Sequence, residues 1–197
     1  MRYAALAAAI ALSSGVAGAA EPKGFTVKVD YYEVSGDTPR DLFLAMVKRG
    51  PKDGYFRSRA IAQTQYHTEW DTKLIYAKGV CRVSKADPHA TITYIYPRQP
   101  AGLSRDVERR WKRFMAGIVR HERQHGRYVR DMLAEARKAI IGLKTAGDKD
   151  CSRTRAEMKR RVSRIHSKYE AMQREFDVIE HQDGATIDRL IKAFVND

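Results

Sequence analysis

Two long stretches with apolar residues every three or four positions occupy the second half of this chain, and they constrain its fold more than any other feature. The first begins after Ser104, a favourable helix N-cap, and continues to Leu143. The second runs from Met158 to Ile179. Residues 146–150 between them contain turn-forming Gly and Asp. The pattern therefore predicts two amphipathic helices that pack as an antiparallel hairpin.

The first half of the chain has the period-two alternation and the β-branched and aromatic residues that are typical of strands. A short helix is predicted at residues 42–47, after Thr38-Pro39 and before Gly50-Pro51. Asp87-Pro88 is expected to separate the strands on either side of it. The predicted strands are residues 25–31, 60–70, 73–84 and 90–96.

Together these patterns predict an α+β fold, in which a small, mostly antiparallel sheet with one short helix is followed by the long helical hairpin. The sheet-rich part corresponds to residues 21–103 and the helical part to residues 104–197. A chain of this length can bury one sizeable core, so we expect residues 21–197 to form a single domain.

The first twenty residues have the organisation of a secretory signal peptide. Arg2 precedes an apolar run at residues 4–12, and residues 17–19 (Ala-Gly-Ala) supply the small side chains of a cleavage site. The run is too short to cross a bilayer, and no later stretch reaches transmembrane length. We therefore expect cleavage near residue 20 and a periplasmic or secreted protein.

The chain is strongly basic, with 37 Lys and Arg against 24 Asp and Glu and a formal net charge of +13. Such a charge suits nucleic-acid binding. Export, however, separates the protein from chromosomal DNA, and we recognise no nucleic-acid-binding motif in the sequence. Anionic polymers or lipid headgroups of the cell envelope are better candidates for a partner of this charge.

Cys81 and Cys151 are the two cysteines of the chain. In an oxidising compartment, an isolated pair predicts one disulfide, which here would join the two halves of the chain. Neither cysteine has C-x-x-C spacing, so the sequence disfavours thioredoxin-like redox chemistry and a cysteine-type zinc knuckle.

The apolar stripe of the first long helix is interrupted by His121-Glu-Arg-Gln-His125, an H-E-x-x-H sequence. Helical geometry places His121 and His125 on the same face, one turn apart, where both can bind one zinc ion. Glu122 lies on the flank of that face, where it can act as general base toward a metal-bound water. Two imidazoles and a carboxylate on a core-facing stripe are costly unless paired. A hydrogen-bonded structural cluster is the alternative explanation.

A third protein ligand is expected from the second long helix. If the hairpin turn centres near residue 149, His121 lies level with Asp177, and His125 lies level with Gln173. Asp177 is therefore the best candidate by level, and its carboxylate is a suitable zinc ligand. The alternatives that remain open are Glu180 and His181.

These features resemble a bacterial family of predicted secreted zinc-dependent proteases. The resemblance spans about residues 31–184 and rests on Tyr32-Glu-Val-Ser-Gly36, Trp111, the H-E-x-x-H sequence with Gly126, both cysteines and Phe176-Asp177. The family's C-terminal motif resembles Tyr-Asp-x-x-Thr followed by His-Gly. This chain has Phe176 and Glu180 in place of the Tyr and the Thr, whereas Asp177 matches. The resemblance implies export and zinc-dependent peptide cleavage.

The sequence thus predicts an exported zinc metallopeptidase with a zincin-like fold, whose substrate is a protein or peptide. Zinc is the expected cofactor, with His121, His125 and Asp177 as ligands and Glu122 as the catalytic base. The alternative is a basic envelope-binding or interaction module with a structural or vestigial metal site. Four protein ligands and no open position at the metal would favour that module. The envelope-binding hypothesis is based on three runs of basic residues, which are Arg109-Arg110, Lys112-Arg113 and Lys159-Arg160-Arg161.

Overall fold

The computed structural model describes residues 24–52 and 59–196, so the predicted signal peptide at residues 1–20 lies outside the described part of the chain. The α+β class is confirmed, and side chains from the sheet and from the four helices within the described ranges share one hydrophobic core. That residues 21–197 form one domain stays a prediction. In chain order, the elements are β1 (Phe25–Glu33), α1 (Pro39–Arg49), β2 (Gln63–Ala77), β3 (Val80–Arg98), α2 (Arg105–Ile140), β4 (Lys144–Ala146), α3 (Ser152–Glu180) and α4 (Thr186–Asn196).

The sheet is mixed rather than antiparallel, because β1 pairs in parallel with β3. The strand order is β1-β3-β2, and the short β4 pairs with the beginning of β3. β2 and β3 form an antiparallel hairpin. The prediction of an antiparallel sheet is therefore wrong for β1. The alternation of apolar and polar residues identifies a strand but not the strand that pairs with it. Here α1 follows β1 in the chain, and the β2–β3 hairpin then packs with β3 beside β1 and parallel to it.

β3 continues through Pro88, where the sequence predicted a break. The Ala90 N–H donates to the Gly24 carbonyl at 2.8 Å, on the side of β3 that faces β1. N–H groups two residues apart point to the same side of a strand, so the N–H that Pro88 lacks would also face β1. β1 begins at Phe25, opposite Ala90, and no β1 residue lies opposite Pro88. The proline therefore costs no ladder hydrogen bond with β1.

A two-residue turn at Lys78 and Gly79 joins β2 to β3. Both residues have positive φ, 51° and 77°, as the tight turns that fit the twist of a hairpin require. The prediction of one strand at residues 73–84 is therefore wrong. Lysine seldom adopts positive φ, so only Gly79 signals this turn in the sequence.

α1 and α2 begin at the caps that the sequence predicted. The Thr38 hydroxyl accepts a hydrogen bond from the Asp41 N–H at 3.1 Å, and the Ser104 hydroxyl accepts one from the Val107 N–H at 3.3 Å. α2 is 36 residues long, and its apolar stripe is buried from Val107 to Ile140. The helices predicted at residues 42–47 and after Ser104 are therefore confirmed.

α3 packs antiparallel to α2, which confirms the predicted hairpin. Glu135 of α2 accepts a hydrogen bond from Lys168 Nζ at 2.7 Å. Further along α2, the Ala139 carbonyl accepts one from Arg161 Nη1 at 2.8 Å, so contacts move backwards along α3 as they advance along α2. The predicted stripe of α3 ends before Ile179, which is 52% exposed.

α4 was not predicted as a separate helix. It packs against the first half of α2, where Phe194 stacks on Phe114 with ring centroids 4.6 Å apart and meets the edge of Trp111 at 6.1 Å. Leu190 lies over Gly117, which leaves room for the close approach of the two helices. α4 thereby covers an apolar part of α2 that the hairpin alone would expose.

The predicted disulfide between Cys81 and Cys151 is present, with Cα atoms 5.5 Å apart. It joins the start of β3 to the residue that precedes α3. In the same turn, the buried Asp148 accepts hydrogen bonds from the N–H groups of Arg153 and Thr154, at 3.2 and 2.8 Å. A buried disulfide is typical of proteins outside the cytoplasm. Among the residues described, none of the helices is both long and apolar enough to cross a membrane.

α2 approaches β3 closely at Gly126, the residue that follows the H-E-x-x-H sequence. A Cβ at this position would lie 2.0 Å from Oη of the buried Tyr94. We expect Gly126→Ala to lower the free energy of unfolding by about 1–2 kcal/mol, because the cost of overpacking exceeds the better helix propensity of alanine. Urea-induced unfolding measures this difference.

Gly117→Ala is the matched control for this variant, since it lies in the same helix. Its Cβ would meet the end of the flexible Leu190 side chain, at 2.3 Å, and that side chain can move away. We expect a smaller loss of stability there than at Gly126. A Gly126→Ala variant as stable as the wild type would contradict the packing argument.

Candidate metal centre

The two histidines of the H-E-x-x-H sequence lie one turn apart on α2 and direct their rings to the same point. His121 and His125 are 7% and 8% exposed, and their Nε2 atoms are 3.3 Å apart. Asp177 of α3 completes the group, with Oδ1 3.1 Å from His121 Nε2 and 2.9 Å from His125 Nε2. The fold thus brings together the three side chains that the sequence suggested as metal ligands.

The three donor atoms fit a tetrahedral zinc ion by type and by spacing. Zinc binds histidine nitrogen at about 2.0–2.1 Å, which places tetrahedral ligand atoms roughly 3.3 Å from one another. The separations between the two Nε2 atoms and Asp177 Oδ1 are 2.9, 3.1 and 3.3 Å. A metal ion would therefore require only small movements of these side chains.

Residues of α3 orient both histidine rings. His125 Nδ1–H donates to Gln173 Oε1 at 3.2 Å, so in the neutral ring, the form that binds a metal, the lone pair of Nε2 is directed at the centre. Gln173 Nε2 in turn donates to Glu170 Oε1 at 3.4 Å, which sets the direction of the amide. The Phe176 ring stacks on the His121 ring, with centroids 4.8 Å apart. The sequence predicted that Gln173 lies level with His125. It did not predict that Gln173 and Phe176 hold the two histidine rings in place.

The outer nitrogen of His121 is the one buried polar side-chain atom without a hydrogen-bond partner in the described part of the chain. A carboxylate oxygen of Glu180 lies 3.9 Å from this Nδ1 atom. A small rotation of Glu180 would let it accept the Nδ1–H, the arrangement that carboxylates commonly adopt behind a metal-bound histidine. Glu180, a sequence-based alternative to Asp177 as ligand, therefore faces the outer side of His121.

His181, the other alternative, lies directly after α3. Its Nδ1–H donates to the Asp177 carbonyl at 2.8 Å, and its ring centroid is 5.5 Å from that of His121. Ligand atoms of His121, Asp177 and His181 lie within 4.8 Å of one another, so this group could hold a metal ion. It shares two members with the triad that contains His125. The structure thus contains two overlapping groups of three donor side chains, which share His121 and Asp177.

The charges around the centre favour a cation. Burial alone would raise the pKa of Asp177, but hydrogen bonds with His121 and His125 outweigh it and hold that pKa well below its usual range. Burial would likewise lower the pKa of His125, but the hydrogen bond and charge of Asp177 raise it. Asp177 is therefore ionised and faces the two imidazoles, as a metal-binding carboxylate would be.

Glu122 is buried beside this centre and is held by the sheet. The Thr64 hydroxyl, on β2, donates to Glu122 Oε2 at 2.7 Å, and the Glu122 carbonyl oxygen lies 3.0 Å from the same hydroxyl. Burial raises the pKa of Glu122, and the Thr64 hydrogen bond and the charges of the two histidines partly offset this effect. The sequence carried no signal for Thr64, because its contact with Glu122 joins residues far apart in the chain.

A cleft of about 940 Å³ opens over the site. Thr64 and Tyr66 of β2 lie on one face of the strand, two residues apart, and line one wall. The Tyr66 hydroxyl donates to Glu170 Oε1 at 2.5 Å, which extends the hydrogen-bond chain that begins at His125. The polar centre lies beside a largely apolar surface, to which Val47, Ile61, Ile118, Val178, Ile187 and Ile191 contribute.

Most residues of the basic runs form ion pairs along their own helices. Arg109 and Arg110 both contact Asp106, at 2.6 and 2.9 Å, and Lys112 contacts Glu108 at 2.6 Å. On α3, Arg160 and Arg161 both contact Glu157. This pairing is typical of solvated helix faces and reduces the positive charge that these residues offer to an anionic partner.

Fold and site together define an α+β protein with a candidate metal centre between two antiparallel helices. The model of DUF922, a family described as bacterial proteins of unknown function, matches residues 29–184, and the chain belongs to this family. No curated protein and no solved structure matches the chain. Because the function of the family is undefined, the protease activity and the zincin-like fold stay predictions.

Proposed function

We propose that this protein is an exported zinc-dependent metallopeptidase. His121, His125 and Asp177 would hold the metal ion, and Glu122 would act as the general base. The observation that carries the proposal is the convergence of three ligand atoms, 2.9–3.3 Å apart, beside a buried glutamate in an open cleft. The disulfide supports a periplasmic or extracellular location.

Bound zinc would supply Lewis acidity, which makes a water a better nucleophile and polarises a peptide carbonyl. Glu122 follows His121 directly, and Thr64 holds its carboxylate at the cleft wall. From this position, the carboxylate can accept a proton from the attacking water and return it to the leaving amine nitrogen. Gln173 and Phe176 hold the histidine rings, so the site is largely preorganised.

A segment of protein or peptide is the proposed substrate. The cleft, at about 940 Å³, is large enough for several residues of an extended chain. Its apolar surface beside the polar centre suits a substrate that presents an apolar side chain close to the cleaved bond. A zincin-like arrangement of a sheet and an H-E-x-x-H helix is part of the same proposal.

Metal analysis of the purified protein tests the proposal. We expect one zinc ion per chain and hydrolysis of an unstructured protein substrate such as casein, and we expect His121→Ala to lose both. The loss follows from the removal of a ligand that α2 places at the centre of the site. His67→Ala is the matched control, because this histidine is 76% exposed on β2 and contacts Glu69. Wild-type protein without zinc at neutral pH would contradict the proposal.

Thr64→Val should lower the rate of hydrolysis about tenfold without reducing the zinc content. The variant removes a hydrogen bond to the Glu122 carboxylate, and such a bond contributes about 1.5–3 kcal/mol. Steady-state kinetics and metal analysis measure the two effects. Thr68→Val, on the same strand and face, is the control and should retain the wild-type rate. An unchanged rate in Thr64→Val would remove Thr64 from the catalytic arrangement.

An envelope-binding or interaction module with a structural metal is the second candidate function. The observation that favours it is His181, which lies with His121 and Asp177 in a second group that could hold a metal and would add a fourth ligand to the triad. A site with four protein ligands is closed, as structural zinc sites are. Sedimentation with vesicles of anionic phospholipid would test this candidate. Binding by the metal-loaded protein, together with no hydrolysis in any condition, would favour it over the peptidase.

A further inference from the structure

Asp177 and His181 repeat on the α3 side the four-residue spacing that His121 and His125 have on α2. Residues four apart share a helix face, and α2 and α3 are antiparallel, so the two pairs face each other. His121 and Asp177 form a triad with His125 and a second group with His181. The two groups share His121 and Asp177, so His181 lies beside the triad at the exposed end of the site.

His181 differs from the other three side chains in how it is held. Its Nδ1–H donates to the Asp177 carbonyl at 2.8 Å, so the lone pair of the ring lies on Nε2, the atom that can bind a metal. The residue is exposed and lies just after α3 ends, whereas His121 and His125 are buried in the middle of α2. Gln173 and Phe176 fix the rings of His125 and His121.

We propose that His181 is an exchangeable fourth ligand of the metal centre, an inference that rests on the proposed function. With His181 bound, the ion has four protein ligands and the cleft is inert. When His181 turns out to solvent, one imidazole nitrogen is replaced by one water molecule, with no change in oxidation state. The site then has the open position that hydrolysis requires.

An exchangeable ligand accounts for two features that a permanently closed site leaves unexplained. Glu122 is a buried carboxylate that lines the cleft, and a general base has no task beside a metal ion whose four positions are all filled by protein ligands. The cleft also extends over the centre and includes His181 in its lining, so a segment that enters the cleft would meet this side chain first at the exposed end of the site. Substrate entry would thereby favour the open state.

Cobalt(II) in place of zinc tests the proposal, because its visible absorption reports the ligands and its open positions bind azide. We would compare wild type, His181→Ala, His181→Gln and the control His67→Ala. In the His181 variants we expect one cobalt per chain, a changed absorption band and zinc affinity lowered by at least about tenfold, the smallest loss typical even of removing an outer-shell partner. Azide should alter the spectrum of these variants at concentrations at least tenfold lower than those needed for the wild type.

Each outcome distinguishes this inference from the proposed function. Identical spectra and azide affinities for wild type and both His181 variants would overturn the role of His181, while cobalt binding with Glu122-dependent hydrolysis would leave the peptidase intact. Absence of stoichiometric cobalt binding in the wild type would overturn both. Two replacements are used because agreement between His181→Ala and His181→Gln, with unchanged thermal stability, excludes misfolding as the cause.

Discussion

Replacing Glu122 by glutamine is expected to reduce peptide hydrolysis by about 10³-fold, within the range that general-base catalysis contributes. Glutamine has nearly the same shape and can still accept the hydrogen bond from Thr64, so the site should keep its geometry. It cannot accept a proton from a water molecule. The zinc content should therefore equal that of the wild type, since Glu122 is not among the proposed ligands.

Glu135→Gln is the matched control for Glu122→Gln. Glu135 lies on the same helix but pairs with Lys168 and Tyr169 at 2.7 and 3.0 Å, away from the cleft. We expect it to retain wild-type hydrolysis. Kinetic assays with metal analysis of both variants separate the loss of a base from the loss of metal. Undiminished hydrolysis by Glu122→Gln would remove Glu122 as the base.

Removal of the Cys81–Cys151 disulfide is expected to lower the free energy of unfolding by roughly 4 kcal/mol, and the melting temperature by about 10 °C. The bond closes a loop with a sequence separation of 70 residues, so its loss restores considerable chain entropy to the unfolded state. It also ties the turn between α2 and α3 to β3. Thermal unfolding of Cys81→Ala/Cys151→Ala measures the effect.

Reductant provides the control for this prediction. A reducing agent should lower the melting temperature of the wild type toward that of the double variant, and it should leave the double variant unchanged. The metal centre lies elsewhere on the hairpin, so zinc content at low temperature should be the same in both proteins. Equal melting temperatures of oxidised wild type and double variant would show that the disulfide does not constrain the unfolded chain.

Helices α1, α2 and α3 were predicted from the sequence because the signals for them are local, whereas α4 was not. Ser104 and the apolar stripe of α2 act within a few residues of where they occur, and the structure has the predicted start. Strand pairing depends on distant residues instead. The residues around Phe25 do not indicate that its partner on β3 is Ala90. The residues around Pro88 do not indicate that the pairing with β1 starts only at Ala90, two residues after the proline.

Part of the candidate site also followed from sequence, through the geometry of a helical hairpin. The position of the turn and the antiparallel order of the helices predict that Asp177 lies opposite His121 and that Gln173 lies opposite His125. The structure has both contacts, at 3.1 Å between His121 and Asp177 and at 3.2 Å between His125 and Gln173. The directions in which these side chains point could not be predicted from the hairpin geometry. Whether His181 turns toward His121 depends on how α3 ends, which spacing alone does not decide.

The sequence by itself determined that the two histidines of H-E-x-x-H share one helix face and that two helices form a hairpin, because both follow from short-range spacing. It also determined the disulfide, because a chain with two cysteines allows a single intramolecular pairing. The tertiary structure decided that Thr64 reaches Glu122, that Phe176 stacks on His121, and that His181 forms a second group of possible metal ligands with His121 and Asp177. These contacts join separate elements, and only the packing of α2 against the sheet and α3 places their atoms within reach of one another.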